Sequence, residues 1–327
     1  MQLGLGGRCA IISDELVAPL FGDRVTTSLS SAGFDSMLFT IPPGEKSKSL
    51  EQAGAICERM ATAGLDRSSF VVALGGGVVG DLAGFVAAIF HRGIPYVHVP
   101  TTLLAQVDSS IGGKTAVNTA AGKNLIGALH HPVLVIADID LLQTLPEREF
   151  NQGFAEIIKH GIIRDAALLD MLESFQRKHD LESLVRRNVE IKAEFVAADE
   201  RDENGKRALL NFGHTVGHAI ERAGEYRELL HGEAISLGIV AACDISVRKM
   251  GLPENARAKV AALLEKFHLP TRLPPNISRD RILEALPFDK KFERGQVRFV
   301  VTSKIGSARL TSDVTMEDIR EAVERLQ

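Results

Sequence analysis

The chain has 327 residues, more than a single hydrophobic core usually holds, so we expect two domains. Its residues are 45% hydrophobic and 24% charged, which is typical of an ordinary globular protein. A formal net charge of −4 without a basic block argues against nucleic acid as a partner, and three scattered cysteines argue against a disulfide framework or a thiolate zinc site.

No targeting or membrane segment is expected. The N-terminal residues lack a basic segment followed by an apolar one, as a signal peptide would have. The most apolar stretch, residues 70–90, is interrupted by glycines and by Asp81, unlike a membrane span. We therefore expect a cytoplasmic protein that binds neither membrane nor nucleic acid.

The first half of the chain alternates strand and helix patterns. The predicted strands are residues 9–14, 37–41, 70–74, 96–99 and 133–137, and the predicted helices include residues 15–32 and 50–63. This alternation predicts an open, mostly parallel sheet with helices on both faces. Ligands of such sheets bind beyond the carboxyl ends of the strands, so one edge would carry Asp14, residues 44–48, residues 75–81, Thr101 and Thr102.

A glycine turn follows the third predicted strand. Gly75, Gly76 and Gly77 come directly after an apolar run and before a helical segment. Glycines let backbone N–H groups approach an anion, and the first unpaired N–H groups of a helix favour negative charge. The turn is therefore a candidate phosphate cradle. An ordinary tight turn, with Asp81 as a helix cap, is the alternative reading of the same residues.

The pattern of apolar residues changes near Leu145 and Pro146, from alternating strands and helices to helices alone. From there to about residue 267 the apolar residues recur at helical spacing, so we expect a mostly helical second domain over residues 146–327. A late exception is a predicted hairpin formed by residues 297–301 and 308–310 around Gly306. A final helix is predicted over residues 316–326.

The helical half contains candidate metal ligands. His214 and His218 are four residues apart and share one helix face, and Glu156 lies among apolar neighbours that should bury it. Two histidines and one carboxylate with an open position describe a catalytic zinc site. However, Glu156, His214 and His231 are too far apart in sequence to form a local motif. Spacing alone leaves open which histidines bind metal, and a histidine on a helix is usually an ordinary core or surface residue.

Several strings in the chain resemble one enzyme family, 3-dehydroquinate synthase, a sugar-phosphate cyclase of the shikimate pathway. They are GGGVVGDLAGF, RGIPYVHVPTTLLAQVDSSIGGKTAVN, GKNLIGA, GFAEIIKHG, ALLNFGHTVGHAIE, HGEAISLG and FDKK. The resemblance runs over nearly the whole chain. It implies an α/β fold with an N-terminal Rossmann-like open parallel-sheet domain over residues 1–145 that binds NAD. A mostly α-helical C-terminal domain over residues 146–327 would bind metal and substrate.

The resemblance also implies the ligands. One divalent metal ion, normally zinc with cobalt as the other possibility, would be bound by Glu156, His214 and His231. NAD would contact Asp14, Pro43, Gly44, Glu45, Lys46, Ser47, Lys48, Gly77, Val78, Val79, Gly80, Asp81, Thr101, Thr102, Lys114, Lys123, Leu141, Leu142, Gln143 and Thr144. A sugar-acid phosphate substrate would contact Asp108, Lys114, Asn124, Lys159, Lys192, Arg207, Asn211, His218, Lys290 and Lys291. In a homodimer, Arg92 would reach the site of the neighbouring subunit.

The implied reaction converts 3-deoxy-D-arabino-heptulosonate 7-phosphate into 3-dehydroquinate and phosphate. It combines transient oxidation by NAD, phosphate elimination, reduction and an intramolecular aldol closure. His218 is the candidate proton shuttle, because imidazole titrates near neutrality. Two alternatives stay open: a related cyclase acting on sedoheptulose 7-phosphate or glucose 6-phosphate, and an iron-type polyol dehydrogenase, which would release NADH.

The chain departs from the family pattern at three places. Pro43 stands where family members usually have an acid, and Asp14-Glu15-Leu16 replaces the common Asp-x-Asn. His130 and His131 stand where an aromatic residue and a glutamine are frequent. We expect these differences to affect the adenosine end of NAD or loop packing, and to leave activity intact.

Overall fold

The structure is a computed structural model that describes residues 4–203, 205–225, 227–286, 292–293 and 296–326. Its contacts divide the chain into two compact units, Met1–Leu145 and Pro146–Gln327. Lys290 and Lys291, predicted to bind substrate, lie outside the described residues.

Unit 1 is built on a five-stranded parallel sheet with the strand order β2-β1-β3-β4-β7. Its strands are β1 (Arg8–Asp14), β2 (Asp35–Ile41), β3 (Phe70–Gly75), β4 (Tyr96–Pro100), β5 (Lys114–Thr119), β6 (Gly122–Leu129) and β7 (Leu134–Val135). Its helices are α1 (Ala18–Ser31), α2 (Leu50–Thr62) and α3 (Gly77–Ile89). The predicted parallel α/β class is confirmed. The strand order reverses between β1 and β3, so their carboxyl ends flank the crevice where such sheets bind ligands.

The sheet is covered on both faces, and its central strand β3 has no polar side chain. Alternate residues of a strand point to opposite faces. Val71 and Ala73 of β3 accordingly join one core cluster, while Phe70 and Val72 join another on the opposite face. A continuous apolar run is therefore what a central parallel strand requires, and β3 is buried throughout.

Three details of unit 1 differ from the expected elements. Strands β5 and β6 form an antiparallel hairpin that the sequence patterns did not reveal. The last strand of the sheet, β7, covers two residues instead of the five expected. Helix α1 begins at Ala18 and not at residue 15, because Oδ1 of Asp14 accepts hydrogen bonds from the backbone N–H groups of Leu16 and Val17, both at 2.9 Å.

Unit 2 is mostly helical. Its helices are α4 (Glu147–Ile163), α5 (Ala166–Glu173), α6 (Arg177–Ala198), α7 (His214–Ala223), α8 (His231–Met250), α9 (Glu254–Lys266), α10 (Arg279–Ala285) and α11 (Met316–Glu324). Two short antiparallel pairs join β8 (Phe292–Glu293) with β9 (Gln296–Val297), and β10 (Phe299–Lys304) with β11 (Ser307–Thr311). The β10–β11 hairpin turns at Gly306, as the sequence predicted, with φ at 87°. Among the residues described, no helix is both long and apolar enough to cross a membrane.

Candidate metal centre and cofactor-binding residues

Three potential metal ligands converge in unit 2, each from a different helix. Glu156 lies in the middle of α4, His214 is the first residue of α7 and His231 is the first residue of α8. Their ligand atoms all lie within 4.8 Å of one another. The helices thus bring together side chains that are 58 and 17 residues apart along the chain (214 − 156 and 231 − 214).

Close packing of α7 on α8 sets the distance between the two histidines. A Cβ atom added to Gly238 of α8 would lie 2.0 Å from the carbonyl oxygen of Gly213 and 2.7 Å from the backbone nitrogen of Gly217. No side chain fits there, so the two helices approach to near backbone contact. Gly213, with φ at 79°, turns the chain into α7 directly before His214. These glycines therefore let the first turn of α7, which carries His214, pack directly against the backbone of α8.

The separations between the donor atoms suit a metal ion. Nε2 of His214 and Nε2 of His231 each lie 3.4 Å from Oε1 of Glu156. Tetrahedral Zn²⁺ with bonds of roughly 2.1 Å places its ligand atoms about 3.4 Å apart. Oε1 is fully buried and has no hydrogen-bond partner among the described residues. A buried, unpartnered carboxylate oxygen that faces two imidazole nitrogens is what a divalent ion would complete.

The charges around Glu156 keep it ionised. Its side chain is fully buried, and burial alone would raise the pKa of the carboxyl group. The charge of Lys159, which pairs with Oε2, and the nearby His214 outweigh burial and hold the pKa of Glu156 well below its usual value. A metal ligand must be deprotonated, so this environment suits ligation.

The two histidines have opposite pKa shifts. Burial lowers the pKa of His214 to about 4, although Glu156 acts in the other direction. Burial also disfavours protonated His231, but the charges and hydrogen bonds of Glu221 and Glu156 prevail and raise the pKa of His231 to about 10. His214 therefore presents a neutral imidazole at neutral pH, while His231 is held by two carboxylates.

The other predicted residues of unit 2 lie on α6, on α7 and on the short helix before α7. The ring of His218 is centred 5.2 Å from that of His214 and 6.2 Å from that of His231, so three imidazoles form one cluster. Lys192 lies on α6. Arg207 is the first residue of a 3₁₀ helix that ends at Asn211. Lys192 and Arg207 are both buried. Nη1 of Arg207 donates to the carbonyl oxygen of Glu200 at 2.7 Å.

In unit 1 a buried lysine joins two of the predicted cofactor-binding segments. Nζ of Lys48 is paired with the carboxylate of Asp81 on α3 and donates to Oδ1 of Asn124 on β6. Asn118 of the same hairpin donates to Oε1 of Glu45 at 2.8 Å. The turn at residues 44–48 is therefore attached to the β5–β6 hairpin and to the first turns of α3.

The glycine turn after β3 has the features of an anion cradle. Helix α3 starts directly after Gly76, and no side chain of the described residues caps its N-terminus, so its first backbone N–H groups are available to a ligand. A Cβ atom on Gly76 would lie 3.0 Å from Cγ2 of Thr102, and one on Gly77 would lie 3.1 Å from Oγ of Ser109. Side chains larger than hydrogen would crowd this turn. The site thus fits a pyrophosphate group.

The remaining predicted residues of unit 1 have mixed surroundings. Thr101 is buried, and its hydroxyl has no hydrogen-bond partner among the described residues. Leu141 and Leu142 are buried on a 3₁₀ helix, and Leu141 belongs to the core under the sheet. Arg92 is exposed at the end of a 3₁₀ turn with a positive φ of 69°, and Lys114 is exposed at the start of β5.

Comparison with known proteins decides the family. A family model described as 3-dehydroquinate synthase N-terminal matches residues 38–152, and one described as 3-dehydroquinate synthase C-terminal matches residues 153–292. Together they cover most of the chain. The chain belongs to the 3-dehydroquinate synthase family.

Individual relatives agree with that assignment. A 3-dehydroquinate synthase of Pelobacter propionicus is 48% identical over 312 residues, which are 94% of this chain and 86% of the relative. A structure of 2-epi-5-epi-valiolone synthase from Streptomyces hygroscopicus with NAD⁺ and Zn²⁺ bound is 31% identical, with a TM-score of 0.90 over 98% of this chain and 91% of the other. A 2-deoxy-scyllo-inosose synthase in complex with carbaglucose-6-phosphate, NAD⁺ and Co²⁺ is 28% identical, with a TM-score of 0.89 over 99% of this chain and 92% of the other.

Sequence reasoning missed polar residues that lie beside the predicted metal and substrate ligands. Nδ1 of His160 lies 2.9 Å from Oδ1 of Asn188, so a buried hydrogen bond joins α4 to the helix that carries Lys192. Glu221 on α7 lies beside His231, with Oε2 3.4 Å from Nδ1. Glu221 is seven residues after His214 (221 − 214) and therefore on the same helix face, a signal that the i, i+3, i+4, i+7 rule could have used.

Proposed function

We propose that the chain is a 3-dehydroquinate synthase that converts 3-deoxy-D-arabino-heptulosonate 7-phosphate into 3-dehydroquinate and phosphate. Residues 1–145 would bind NAD, and residues 146–327 would bind a divalent metal ion and most of the substrate. The observation that carries this proposal is the convergence of Glu156, His214 and His231 within 4.8 Å, in a chain that belongs to this family.

The metal ion would be held by Glu156, His214 and His231, with Zn²⁺ as the first choice and Co²⁺ as the second. Two histidines and one carboxylate leave a coordination position open to substrate. When bound, the ion supplies a Lewis acid that polarises the substrate's carbon-5 oxygen. Lys159 keeps Glu156 ionised, and the close contact of α7 and α8 holds the two imidazoles in place.

NAD would bind at the carboxyl edge of the unit 1 sheet. Its pyrophosphate would lie on the glycine turn and the uncapped N-terminus of α3, which the spacing around Gly76 and Gly77 supports. When bound, NAD supplies a hydride acceptor that later returns the same hydride. The other contacts are proposed for Asp14, Pro43, Gly44, Glu45, Lys46, Ser47, Lys48, Val78, Val79, Gly80, Asp81, Thr101, Thr102, Lys114, Lys123, Leu141, Leu142, Gln143 and Thr144.

The substrate carries a phosphate and a carboxylate, and both require cations. Lys192 and Arg207 are buried basic residues, which suits charge-assisted hydrogen bonds to such groups. His218, within the imidazole cluster, would move a proton at the substrate's hydroxyl. The substrate's own phosphate can take the carbon-6 proton. Further substrate contacts are proposed for Asp108, Lys114, Asn124, Lys159, Asn211, Lys290 and Lys291.

We further propose a cytoplasmic homodimer in which Arg92 binds a substrate anion in the neighbouring subunit's site. Arg92 is exposed at the end of the 3₁₀ turn that follows α3, so its side chain is accessible to a second copy of the chain. Cys9, Cys57 and Cys243 are free thiols, which are usual in a reducing compartment.

A substrate panel tests the proposed reaction. The purified chain, loaded with NAD and Zn²⁺, would be given 3-deoxy-D-arabino-heptulosonate 7-phosphate, sedoheptulose 7-phosphate and glucose 6-phosphate. We expect one phosphate released per molecule of the first substrate, with no steady accumulation of NADH. Preferential turnover of another sugar phosphate would favour a related cyclase, and stoichiometric NADH with an uncyclised product would favour a dehydrogenase.

A further inference from the structure

Both histidines of the metal centre have a second ring nitrogen, and the structure gives each of these a partner. Nδ1 of His214 lies 3.2 Å from the carbonyl oxygen of Phe212. A carbonyl oxygen only accepts hydrogen bonds, so Nδ1 carries the hydrogen and Nε2 presents its lone pair. His214 is thereby held in the tautomer that a metal ion requires.

For His231 the corresponding partner is a carboxylate. Nδ1 of His231 lies 3.4 Å from Oε2 of Glu221, while Nε2 on the other side of the ring lies 3.4 Å from Oε1 of Glu156. The ring is therefore between two carboxylates, one on α4 and one on α7. Only one of them can share a metal ion with Nε2, because the other faces Nδ1.

The side chain of Glu221 is only 5% exposed, although His231 is 33% exposed. A carboxylate buried to that degree needs hydrogen-bonding partners, since an isolated buried charge is strongly disfavoured. Its position near the end of α7 gives it no help from the helix dipole, whose negative end lies there. Nδ1–H of His231 is one hydrogen-bond donor that lies beside this carboxylate.

We propose that Glu221 is a positioning residue for the metal centre, and that it accepts a hydrogen bond from Nδ1–H of His231 so that Nε2 presents its lone pair to the ion. The inference rests on the proposed metal site and adds a residue to it. A carboxylate behind a ligating histidine fixes the ring's tautomer and orientation and increases its basicity, and loss of such a partner typically lowers metal affinity about 10- to 100-fold.

Metal affinity in Glu221 variants tests the proposal. The Zn²⁺ dissociation constants of the wild-type chain, Glu221→Ala and Glu221→Gln would be measured by competition with a chromophoric chelator, and the visible spectra of the Co²⁺ forms would be compared. We expect Glu221→Ala to bind Zn²⁺ about 10- to 100-fold more weakly, with an altered Co²⁺ spectrum. Glu221→Gln, whose amide oxygen still accepts from Nδ1–H, should recover part of the affinity.

The control variant is Asp244→Asn. Asp244 is also a buried carboxylate of unit 2, but it lies 13 residues after His231 on α8 (244 − 231). It pairs with Arg248. Asp244→Asn should bind Zn²⁺ as the wild type does.

Unchanged Zn²⁺ affinity and Co²⁺ spectra in both Glu221 variants would overturn the inference about Glu221 without affecting the proposed metal site. Loss of a second equivalent of metal in Glu221→Ala would also overturn it, because Glu221 would then be a ligand. A wild-type chain without metal affinity would overturn the metal site itself.

Discussion

Lys159 forms an ion pair with Glu156, one turn earlier on α4, and both side chains are buried almost completely. Lys159 contacts Oε2 of Glu156, whereas the two histidines face Oε1. Lys159 therefore has a part in stability as well as in the chemistry proposed for it. Without a metal ion, Lys159 is a full positive charge in direct contact with Glu156.

Replacing this lysine should destabilise the metal-free protein. Removing one partner of a buried ion pair leaves an uncompensated charge, so Lys159→Met should lower the free energy of unfolding by about 3–5 kcal/mol in the presence of a chelator. Excess Zn²⁺ should recover part of the loss by binding the folded state. Denaturant titrations with and without chelator measure both effects.

The matched control is Lys259→Met, which removes a lysine from a more exposed pair with Asp170. Exposed pairs contribute about 0–1 kcal/mol, so this variant should unfold nearly as the wild type does, whether or not Zn²⁺ is present. Equal losses in the two variants would contradict a special role for the Lys159–Glu156 pair.

Arg92→Ala tests whether this residue acts across a dimer. The variant should bind NAD as the wild type does, measured by calorimetry, but it should lose turnover because a substrate anion lacks its cation. Arg92→Ala and His214→Ala chains would then be mixed in equal amounts and refolded together. The mixture should show roughly a quarter of wild-type activity. Half of the dimers would be mixed, and each would contain one intact site.

The outcome of the mixing distinguishes two arrangements. If Arg92 serves its own subunit, every site in the mixture is defective and activity stays absent. A collapse of NAD affinity in Arg92→Ala would instead assign the residue to the cofactor.

Gly80 and His98 form a size-matched pair in unit 1. A Cβ atom on Gly80 would lie 2.2 Å from Cε1 of His98, and this ring is buried under α3. Gly80→Ala should lower the free energy of unfolding by about 1–3 kcal/mol through overpacking. In a His98→Ala background the same change should cost much less, and a double-mutant cycle by thermal unfolding measures the coupling.

Gly54→Ala is the control for this prediction. Gly54 lies within α2, and apart from the backbone around it no heavy atom of the described residues lies within 4 Å of an added Cβ. The alanine should stabilise the protein by about 0.5–1 kcal/mol, because it favours the helix. If Gly80→Ala also stabilised the protein, the ring of His98 could move aside without lowering the free energy of unfolding, which would contradict the prediction.

Asp318 should make the last helix sensitive to acid. Its Oδ2 accepts hydrogen bonds from the backbone N–H and hydroxyl of Thr315, at 2.8 and 2.7 Å, and Lys249 lies 3.0 Å from Oδ1. Burial alone would raise the pKa of Asp318, but these contacts outweigh it and lower the pKa. The carboxylate therefore stabilises the fold above the pKa of the unfolded chain, and this contribution is lost as the pH falls through the lower folded pKa.

Asp318→Asn should cost about 1 kcal/mol at neutral pH and nothing once the pH lies below the folded pKa. Denaturant unfolding at a series of pH values measures the difference. Glu317→Gln, at an exposed neighbouring position, should stay within about 0.5 kcal/mol of the wild type throughout. A difference for Asp318→Asn that persisted in acid would exclude the charge as its cause.

The sequence predicted the layered part of the fold better than its irregular parts. The strands β1 to β4 were recognisable because apolar runs such as residues 70–74 alternate with helical patterns. The β5–β6 hairpin was missed because Ala116 and Val117 are buried but β6 exposes Leu125 and Ile126, so the hairpin lacks the period-two pattern of a strand with one buried face.

Residue types and the strings shared with the family predicted the candidate ligands of the site, but not the residues that surround them. Glu156, His214 and His231 were named from the resemblance, because spacing could not choose among the histidines. Glu221 and Asn118 were missed because each contacts a residue on a different segment of the chain, His231 and Glu45 respectively. The local periodicity of a sequence contains no information about such contacts. Three-dimensional packing was needed to find them.

The glycine contacts between α7 and α8 bear on when the enzyme acquires its ion. Because Gly213 and Gly217 lie at near backbone distance from Gly238, the packing of α7 on α8 constrains the spacing of the histidines independently of a metal ion. Zinc fingers differ, since their ligands meet only when metal drives folding. We therefore expect this chain to fold without its ion and to bind the ion afterwards. Metal supply should therefore limit the fraction of active molecules and not the amount of folded protein.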